Sequence, residues 1–310
     1  MKTIGITGAS GIIGSKICQN LLENGYILHV LSRDPDNFKK NPNIKTYKID
    51  LLNPDRKKVS SFLKRIKFLF HLASELSDES KMMKTNYNST KILVDSIKNK
   101  NITFIYLSSI GIFDFNKSKL INENSYKKQF NIYEKTKFLS EKYIFKSCRE
   151  NNLKFIIVRP SIILDVNMKS KIIDHLLTFT KLGINLKFSK KIIANFILLD
   201  DLVKTILKIF ENEKALNETF NISSDILLEE FLLSTKKVLN KKTYIKLPIN
   251  IFFNLINLVS FFRISRKTSQ IRRFFSNTSK ISTQKVESLI GYKLSLDYSN
   301  FLNNYVNRIK

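Results

Sequence analysis

The chain has 310 residues, with 53 lysines and arginines against 26 aspartates and glutamates, and a formal net charge of +27. A chain of this length forms one large or two small domains and needs no disulfide framework, for which its 2 cysteines would be too few. Its 3 histidines are scattered and form no Cys/His pairs at metal-ligand spacing, so we predict no metal site.

The positive charge allows two interpretations. A basic surface is typical of proteins that bind nucleic acids or anionic membranes. Compositional bias also produces one, because lysine, asparagine and isoleucine are frequent throughout and the lysines form no single run. We favour bias and predict no specific nucleic-acid partner. The few cysteines, and a start in which Met1 and Lys2 lead into a predicted strand rather than a signal peptide, predict a cytoplasmic protein.

The N-terminal segment is the most informative part of the chain. A predicted strand, Thr3–Thr7, runs into Gly8, Gly11 and Gly14, and an apolar helical pattern follows. Glycines at this spacing permit a tight turn, a close approach of backbone to a pyrophosphate, and close packing of the helix on the sheet. Ile13 replaces the second glycine of a Walker loop, which excludes that motif. An ordinary glycine-rich turn is the alternative, but the position directly after a strand favours dinucleotide binding.

Short β-branched segments alternate with helical patterns through the first half of the chain. The further predicted strands are Ile27–Leu31, Ile44–Ile49, Phe68–His71, Thr103–Leu107 and Phe155–Val158. The predicted helices after the first are Pro54–Arg65, Lys81–Lys98 and Tyr133–Glu150. Apolar strands separated by helices are typical of a parallel sheet covered on both faces. We therefore predict an α/β fold with a Rossmann-type, doubly wound parallel sheet and a ligand at the carboxyl ends of its strands.

The end of the second predicted strand bears on the cofactor. In this fold an acidic residue there binds the ribose 2′-hydroxyl of NAD, whereas an arginine accommodates the 2′-phosphate of NADP. Ser32 occupies the acidic position and Arg33 follows it, with Lys39 or Lys40 able to add charge. This favours NADP. NAD stays the alternative, because Arg33 can instead stack on the adenine.

The alternation weakens after Pro160. Residues 161–193 read as a loop and a helix, 194–210 as one strand-helix unit, and the chain after Asp225 as mainly helical. We predict a dinucleotide-binding domain from 1–160 and 194–223, and a smaller, mainly helical substrate domain from 161–193 and 224–310. The apolar stretch 249–262 is too short to span a membrane. A core helix is favoured there over weak peripheral membrane contact, which Arg263, Arg266, Lys267, Arg272 and Arg273 would assist.

A possible catalytic group follows the fifth strand. Ser108 and Ser109 end that strand, and Tyr133 and Lys137 lie four residues apart in a predicted helix, so they share one face. Tyrosine has a pKa near ~10, and lowering it by about three units takes roughly 4 kcal/mol. A lysine cation and a nicotinamide cation would supply this shift. A tyrosine and a lysine at this spacing are also common on solvated helix faces, so their assignment to catalysis depends on the other motifs.

Short motifs follow one another along most of the chain. They are TGASGIIG at 7–14, DL at 50–51, HLAS at 71–74, NYNST at 86–90, LSSIGIF at 107–113, YEKTK at 133–137, RPS at 159–161 and LDDLV at 199–203. Together they resemble the extended short-chain dehydrogenase/reductases of the NAD-dependent epimerase/dehydratase family. Ser89 replaces the family's usual glycine, and Phe113-Asp114 and Asp165 depart from it on the predicted substrate side.

The resemblance implies a set of site residues. The catalytic ones are Ser109, Tyr133 and Lys137. The cofactor-binding ones are Gly8, Gly11, Ile12, Ile13, Gly14, Ser32, Arg33, Asp50, Leu51, Leu72, Ala73, Asn86, Ser108, Tyr133, Lys137 and Pro160. Asp50 and Leu51 correspond to the pair that contacts adenine in the family.

Three functions are compatible with the sequence. The preferred one is a nucleotide-sugar epimerase, dehydratase or 4-keto reductase of surface-polysaccharide synthesis, acting as a monomer or homodimer. The second is an NADP-dependent reductase of small carbonyl compounds, because residues 32–37 resemble the R-D-P-x-N segment of the dihydroflavonol-reductase-like branch. The third is a non-catalytic nucleotide- or RNA-binding protein, which an intact Ser109/Tyr133/Lys137 group argues against.

Overall fold

A seven-stranded parallel sheet organises the computed structural model, which describes residues 2–38, 41–168, 171–240, 245–249, 251, 267–294 and 298–309. Its strands in chain order are β1 (Thr3–Thr7), β2 (Ile27–Ser32), β3 (Ile44–Lys48), β4 (Ile66–His71), β5 (Thr103–Leu107), β7 (Lys154–Pro160) and β11 (Glu218–Ile222). Their order in space is β11-β7-β5-β4-β1-β2-β3. The central strands are apolar and buried, as a sheet covered on both faces requires.

Helices cover both faces of this sheet. In chain order the described α-helices are α1 (Ile12–Glu23), α2 (Arg56–Phe62), α3 (Glu79–Met82), α4 (Ser89–Ile97), α5 (Ile132–Asn151), α6 (Lys171–Lys181), α7 (Leu199–Glu211), α8 (Leu228–Leu239), α9 (Lys267–Ser276), α10 (Gln284–Ile290) and α11 (Ser299–Ile309). One apolar core joins the sheet to α1 and α7, and a second joins it to α2, α4 and α5. The predicted doubly wound, Rossmann-type α/β fold is thereby confirmed.

Short strands elsewhere form three small sheets. These strands are β6 (Leu120–Ile121), β8 (Ile162–Leu164), β9 (Ile184–Lys187), β10 (Ile193–Leu198), β12 (Ser224–Leu227), β13 (Ile245–Pro248) and β14 (Lys280–Ile281). They pair as β12-β10-β8, β13-β9 and β14-β6. The sequence analysis missed most of them, because strands of two to four residues are too short to show a period.

Helices α6, α8, α9 and α11 and strand β10 form a second lobe beside the main sheet. Their side chains build an apolar core of its own. Strand β10, which the sequence analysis grouped with the dinucleotide-binding domain, pairs with β8 and β12 rather than with the seven-stranded sheet. Helix α7 directly after it packs on the main core. The two-domain boundaries stay a prediction.

One predicted helix is interrupted. The pattern over 81–98 forms α3, a π-helical turn Met83–Asn88, and α4. The widened turn carries the buried side chain of Asn86, which contacts two other parts of the chain. π-Turns inside helices are frequent at functional sites.

Some sequence-based expectations lie outside the described residues. They concern Lys39, Lys40, residues 252–262, Arg263 and Arg266. Within the described ranges, no helix has both the length and the apolar character needed to span a membrane.

Candidate active site

The predicted site residues converge on the carboxyl edge of the seven-stranded sheet. Residues 8–14 follow β1, Ser32 and Arg33 follow β2, Asp50 and Leu51 come shortly after β3, Leu72 and Ala73 follow β4, Ser108 and Ser109 follow β5, and Pro160 ends β7. Because all these strands run parallel, one edge gathers segments that are far apart in sequence. Ile12, Ile13 and Gly14 lie in the first turn of α1, and Asn86, Tyr133 and Lys137 reach this edge from helical segments farther along the chain.

The glycine turn has the close contacts that the motif predicts. Gly8 has a φ of +77°, and a Cβ there would lie 2.5 Å from the Ala73 nitrogen. A Cβ on Gly14 would lie 2.0 Å from the carbonyl oxygen of Gly8. Gly11 differs, since a Cβ there would meet only the Gly8 oxygen, at 3.2 Å. Gly8 and Gly14 are therefore required by the fold, whereas a Cβ on Gly11, at the start of α1, would need only a small shift of the Gly8 carbonyl.

A chain of hydrogen bonds fixes this turn to β4 and α4. The Ala73 N–H donates to the Thr7 hydroxyl over 3.4 Å, and that hydroxyl and His71 Nδ1 are 2.7 Å apart. His71 Nε2 lies 2.9 Å from the Thr90 hydroxyl, which donates to the Asn86 carbonyl oxygen. Because the Thr90 hydroxyl donates to Asn86, it accepts from His71, so a neutral His71 ring carries its proton on Nε2. Burial lowers the pKa of His71 to about 3, assisted by the positive charge of Lys137, which keeps the ring neutral.

Asn86 holds the loop that follows β4. Its Oδ1 accepts from the Glu75 N–H over 2.7 Å, and its Nδ2 donates to the Glu75 carbonyl oxygen over 3.0 Å. Nδ2 also donates to the Thr136 hydroxyl on α5, over 3.3 Å. Asn86 thus links the loop after β4 to the helix that carries Tyr133. This connection gives the residue a positioning role that its motif alone does not reveal.

The end of β2 presents a cation to solvent. The Ser32 hydroxyl bonds locally to the backbone of Asp34, and the Asp34 carboxylate accepts from the Asp36 N–H and the Asn37 amide. Asp34 is thereby occupied within its own turn. Arg33 is exposed, and in the part of the chain that the structure describes it has no ion-pair partner.

Asp50 and Leu51 lie beside that end, in the segment after the neighbouring strand β3. Asp50 is exposed, and its carboxylate accepts from the Leu52 N–H over 2.9 Å. Leu51 is buried in the core between the sheet and α2. The two residues form an ordered turn next to the end of β2, where the Ile49 N–H donates to the Ser32 carbonyl oxygen.

Ser109 lies in a short turn at the end of β5. Its hydroxyl accepts from the Gly111 N–H over 3.1 Å and begins the 3₁₀ turn Ile110–Ile112. A Cβ on Gly111 would lie 3.3 Å from Ser109 Oγ and 3.2 Å from Glu134 Cγ. The turn that carries Ser109 therefore packs directly against the start of α5, one residue after Tyr133.

Tyr133 and Lys137 share one face of α5, as their spacing predicts. The Lys137 ammonium donates to the Leu107 carbonyl oxygen at the end of β5, over 2.7 Å, and lies 5.7 Å from the centre of the Tyr133 ring. Burial lowers the pKa of Lys137 to about 7, and the Glu141 carboxylate opposes that effect.

The pKa of Tyr133 itself is raised rather than lowered. Burial is the main cause, and the carboxylate of Glu134 adds to it. The lowering expected from Lys137 does not overcome the loss of solvation. The residues of the chain by themselves keep the phenol protonated near neutral pH, so Tyr133 can donate a proton.

A buried ion pair that the sequence analysis missed supports the same helix. Arg159 on β7 donates from Nε and Nη2 to the two carboxylate oxygens of Glu141, each over 2.8 Å. Both side chains are 1% exposed. Arg159 also donates to the Glu123 carbonyl oxygen over 3.2 Å. Glu141 lies one turn after Lys137 on α5, and this spacing was the sequence feature that could have indicated a buried acidic partner.

The residues fit a dinucleotide. The first turn of α1 has free N–H groups, because its N-cap Gly11 provides no side-chain hydrogen bond. The glycine turn that begins at Gly8 leads directly into this helix. The exposed Arg33 lies at the end of the adjacent strand, β2. Among the described residues, no cluster of three or more His, Cys, Asp or Glu side chains offers a metal site.

Fold and site define a Rossmann-type protein of the short-chain dehydrogenase/reductase class. Residues 4–223 match the model of the NAD dependent epimerase/dehydratase family, and the chain belongs to this family. The dihydroflavonol 4-reductase of Dianthus caryophyllus is 31% identical over 244 residues, which cover 69% of this chain and 67% of that protein. About two thirds of the reductase is thus matched.

Solved structures show the same fold over the whole chain. A UDP-glucuronic acid 4-epimerase from Bacillus cereus, in complex with NAD, superposes with a TM-score of 0.76 at 18% identity, covering 99% of this chain and 97% of that one. The terminal R domain of the myxalamid PKS-NRPS pathway gives a TM-score of 0.82 at 13% identity, covering 100% and 90%. At these identities the similarity establishes the fold alone.

Proposed function

We propose that the chain is an NADP-dependent oxidoreductase that reduces the carbonyl group of a small organic substrate. The observation that carries this proposal is the packing of the Ser109 turn against the start of α5, where Tyr133 lies with the Lys137 ammonium 5.7 Å from its ring centre. A carbonyl group that accepts a hydride at its carbon requires a proton on its oxygen, and a positioned acid supplies it. The 31% identity to a dihydroflavonol 4-reductase supports reduction over the nucleotide-sugar chemistry that the sequence analysis preferred.

Each residue has one role in this proposal. The Ser109 hydroxyl binds the substrate oxygen, and the Tyr133 hydroxyl donates a proton to it. Lys137, fixed to the end of β5, would in its charged form stabilise the phenolate that remains after the transfer. Asn86 holds the adjoining loop.

The cofactor site extends along the sheet edge. The turn from Gly8 to Gly14 and the start of α1 would bind the pyrophosphate, with Leu72, Ala73 and Pro160 nearer the nicotinamide. Arg33 would bind the 2′-phosphate, since a guanidinium can bind a phosphate through two hydrogen bonds. When bound, the nicotinamide supplies the hydride for the reduction.

A substrate panel tests this function. The purified chain is mixed with NADPH or NADH and with dihydroflavonols, aromatic aldehydes, or UDP-, GDP- and dTDP-sugars, and cofactor oxidation and products are followed. We expect NADPH oxidation with a carbonyl compound. Redox-neutral conversion of a nucleotide sugar, or use of NADH in preference to NADPH, would contradict the proposal.

Nucleotide-sugar epimerisation or dehydration is the second candidate. One observation bears on it, a groove of about 700 Å³ beside β12, although none of the residues that line this groove belongs to the predicted site. Its lining includes Lys119, Lys190, Lys191 and Lys280, whose charges would suit a diphosphate, although Asp225 and Glu230 also line it. The same panel tests this reading. Cytoplasmic location, a monomeric or homodimeric state and the incidental nature of the basic charge stay predictions.

A further inference from the structure

A residue of the second lobe reaches the start of the catalytic helix. Arg273, on α9, donates from Nη1 to Glu134 Oε2 over 3.2 Å, and its Nη2 donates to Oε1 of the same carboxylate. The two residues are 139 positions apart in sequence. Its guanidinium also lies 4.9 Å from the centre of the Phe130 ring, which precedes α5. Arg273 therefore bonds to the residue directly after Tyr133.

Glu134 contacts both catalytic segments. Its Oε2 accepts from the Phe130 N–H over 2.8 Å, which fixes the backbone entering α5. Its Cγ lies 3.2 Å from where a Cβ on Gly111 would be, so the side chain packs on the turn that carries Ser109. One carboxylate therefore adjoins the positions of both Ser109 and Tyr133.

The pair is sheltered from water. The side chain of Glu134 is 4% exposed and that of Arg273 is 29% exposed. Without the guanidinium, the carboxylate would be buried with its charge uncompensated, and it would be free to turn away from Phe130 and Gly111. The geometry of the catalytic segments thus depends on a contact made by the second lobe.

We propose that Arg273 is a positioning residue: through Glu134 it holds the turn of Ser109 and the start of the Tyr133 helix in one fixed arrangement with the second lobe. This inference rests on the proposed function for its kinetic consequence. Its structural part, that α9 restrains the start of α5, stands independently of any substrate.

Hydrogen–deuterium exchange tests the structural part without a substrate. Arg273→Ala should speed exchange of the Phe130 amide and of the first turn of α5, because the acceptor Glu134 loses its fixed position. Arg272→Ala removes the same charge from the neighbouring position, which is exposed. It should leave exchange in this segment unchanged. Equal exchange in Arg273→Ala and the wild type would overturn the proposal.

Kinetics test the consequence for the reaction. Arg273→Ala should lower kcat by about 10- to 100-fold, the scale of a small misplacement of reacting groups, and leave the Kd of NADPH unchanged. Arg273→Lys, which keeps the charge, should recover part of the loss. In a Glu134→Gln background, Arg273→Ala should have much less effect. An equal loss in both backgrounds would contradict the coupling.

The two proposals fail in different ways. A wild-type chain without turnover on any carbonyl compound contradicts the proposed function, while the exchange experiment still decides the positioning role. A wild-type chain with turnover, and an Arg273→Ala variant with normal kcat and normal exchange, contradicts the positioning role alone.

Discussion

The carboxyl edge of the seven-stranded sheet has two sides that are held by different kinds of contact. We call the turn from Gly8 to Gly14 the cofactor side, and the turn of Ser109 with the start of α5 the substrate side. On the cofactor side, the turn from Gly8 to Gly14 is fixed by backbone approaches too close for a Cβ and by the neutral hydrogen-bonded His71. On the substrate side, the turn of Ser109 and the start of α5 are fixed by an ion pair between Glu134 and Arg273 that joins two lobes.

This difference bears on how one fold serves several substrates. Contacts between backbone atoms tolerate no change of side chain, so the cofactor side has little freedom to vary. An ion pair between lobes can be re-formed by other residue pairs, and this one adjoins the turn of Ser109. We expect the cofactor side to set what is common to the family and the substrate side to set what differs.

The largest effect should come from a glycine on the cofactor side. Gly14→Ala places a Cβ 2.0 Å from the Gly8 carbonyl oxygen, so the backbone must move, and the free energy of unfolding should fall by about 3 kcal/mol in chemical denaturation. Gly11→Val is the contrasting variant, since a Cβ there would meet only the Gly8 oxygen, at 3.2 Å, and needs only a small local shift. It should unfold close to the wild type yet bind no dinucleotide in calorimetry. Unchanged cofactor affinity would refute the role of this turn.

Acid should weaken the cofactor side through His71. The pKa is lowered from 6.5 to about 3 in the folded chain, so between these values the unfolded chain binds a proton that the folded chain does not. The free energy of unfolding should therefore decrease as the pH is lowered below 6.5, by up to about 1.4 kcal/mol per pH unit. Denaturation of the wild type and His71→Gln across this range measures the difference in slope. Identical slopes would mean that the ring is not held neutral.

Cofactor choice should depend on one cation. Arg33→Ala should weaken NADPH binding by about 1.5–3 kcal/mol, the scale of hydrogen bonds to a charged group, and leave NADH binding nearly unchanged. Calorimetric titration with both cofactors measures this. Equal losses of affinity for the two cofactors, or a wild type that prefers NADH, would show that Arg33 at the end of β2 does not select NADPH.

The smallest effect on stability should come from the substrate side. Arg273→Ala should lower the free energy of unfolding by about 1 kcal/mol, because this pair lies between the exposed pairs, which contribute little, and the fully buried ones. Arg159→Ala provides the comparison, since it leaves the fully buried Glu141 unpaired and should cost about 3–5 kcal/mol. Similar losses in the two variants would show that the contact made by the second lobe is as strong as the fully buried pair that holds the same helix.

The cofactor side could be predicted because its determinants are local. The strand, the three glycines and the helix start occupy residues 3–14, and the chemistry of each glycine follows from its position. The parallel sheet also followed from apolar strands alternating with helices. The assignment of Ser109, Tyr133 and Lys137 to one site came from the resemblance of their motifs to the family, and their catalytic roles stay a prediction.

The substrate side could not be predicted, because its determinants are distant. Nothing near Arg273 indicates that it bonds to Glu134, 139 residues away. The pairing of β10 with β8 and β12 is a similar case, since a strand followed by a helix reads as one more unit of the main sheet. The raised pKa of Tyr133 also depends on burial, which the spacing of Tyr133 and Lys137 does not report.

The central claim is that Tyr133 donates the proton in a reduction at this edge, and one comparison tests it most directly. Turnover and NADPH affinity are measured side by side for the wild type and Tyr133→Phe, with a carbonyl compound from the panel. We expect the variant to bind NADPH as the wild type does and to lose turnover by about 10²- to 10⁴-fold or more, the contribution of a positioned acid. Near-normal turnover in Tyr133→Phe would contradict the account.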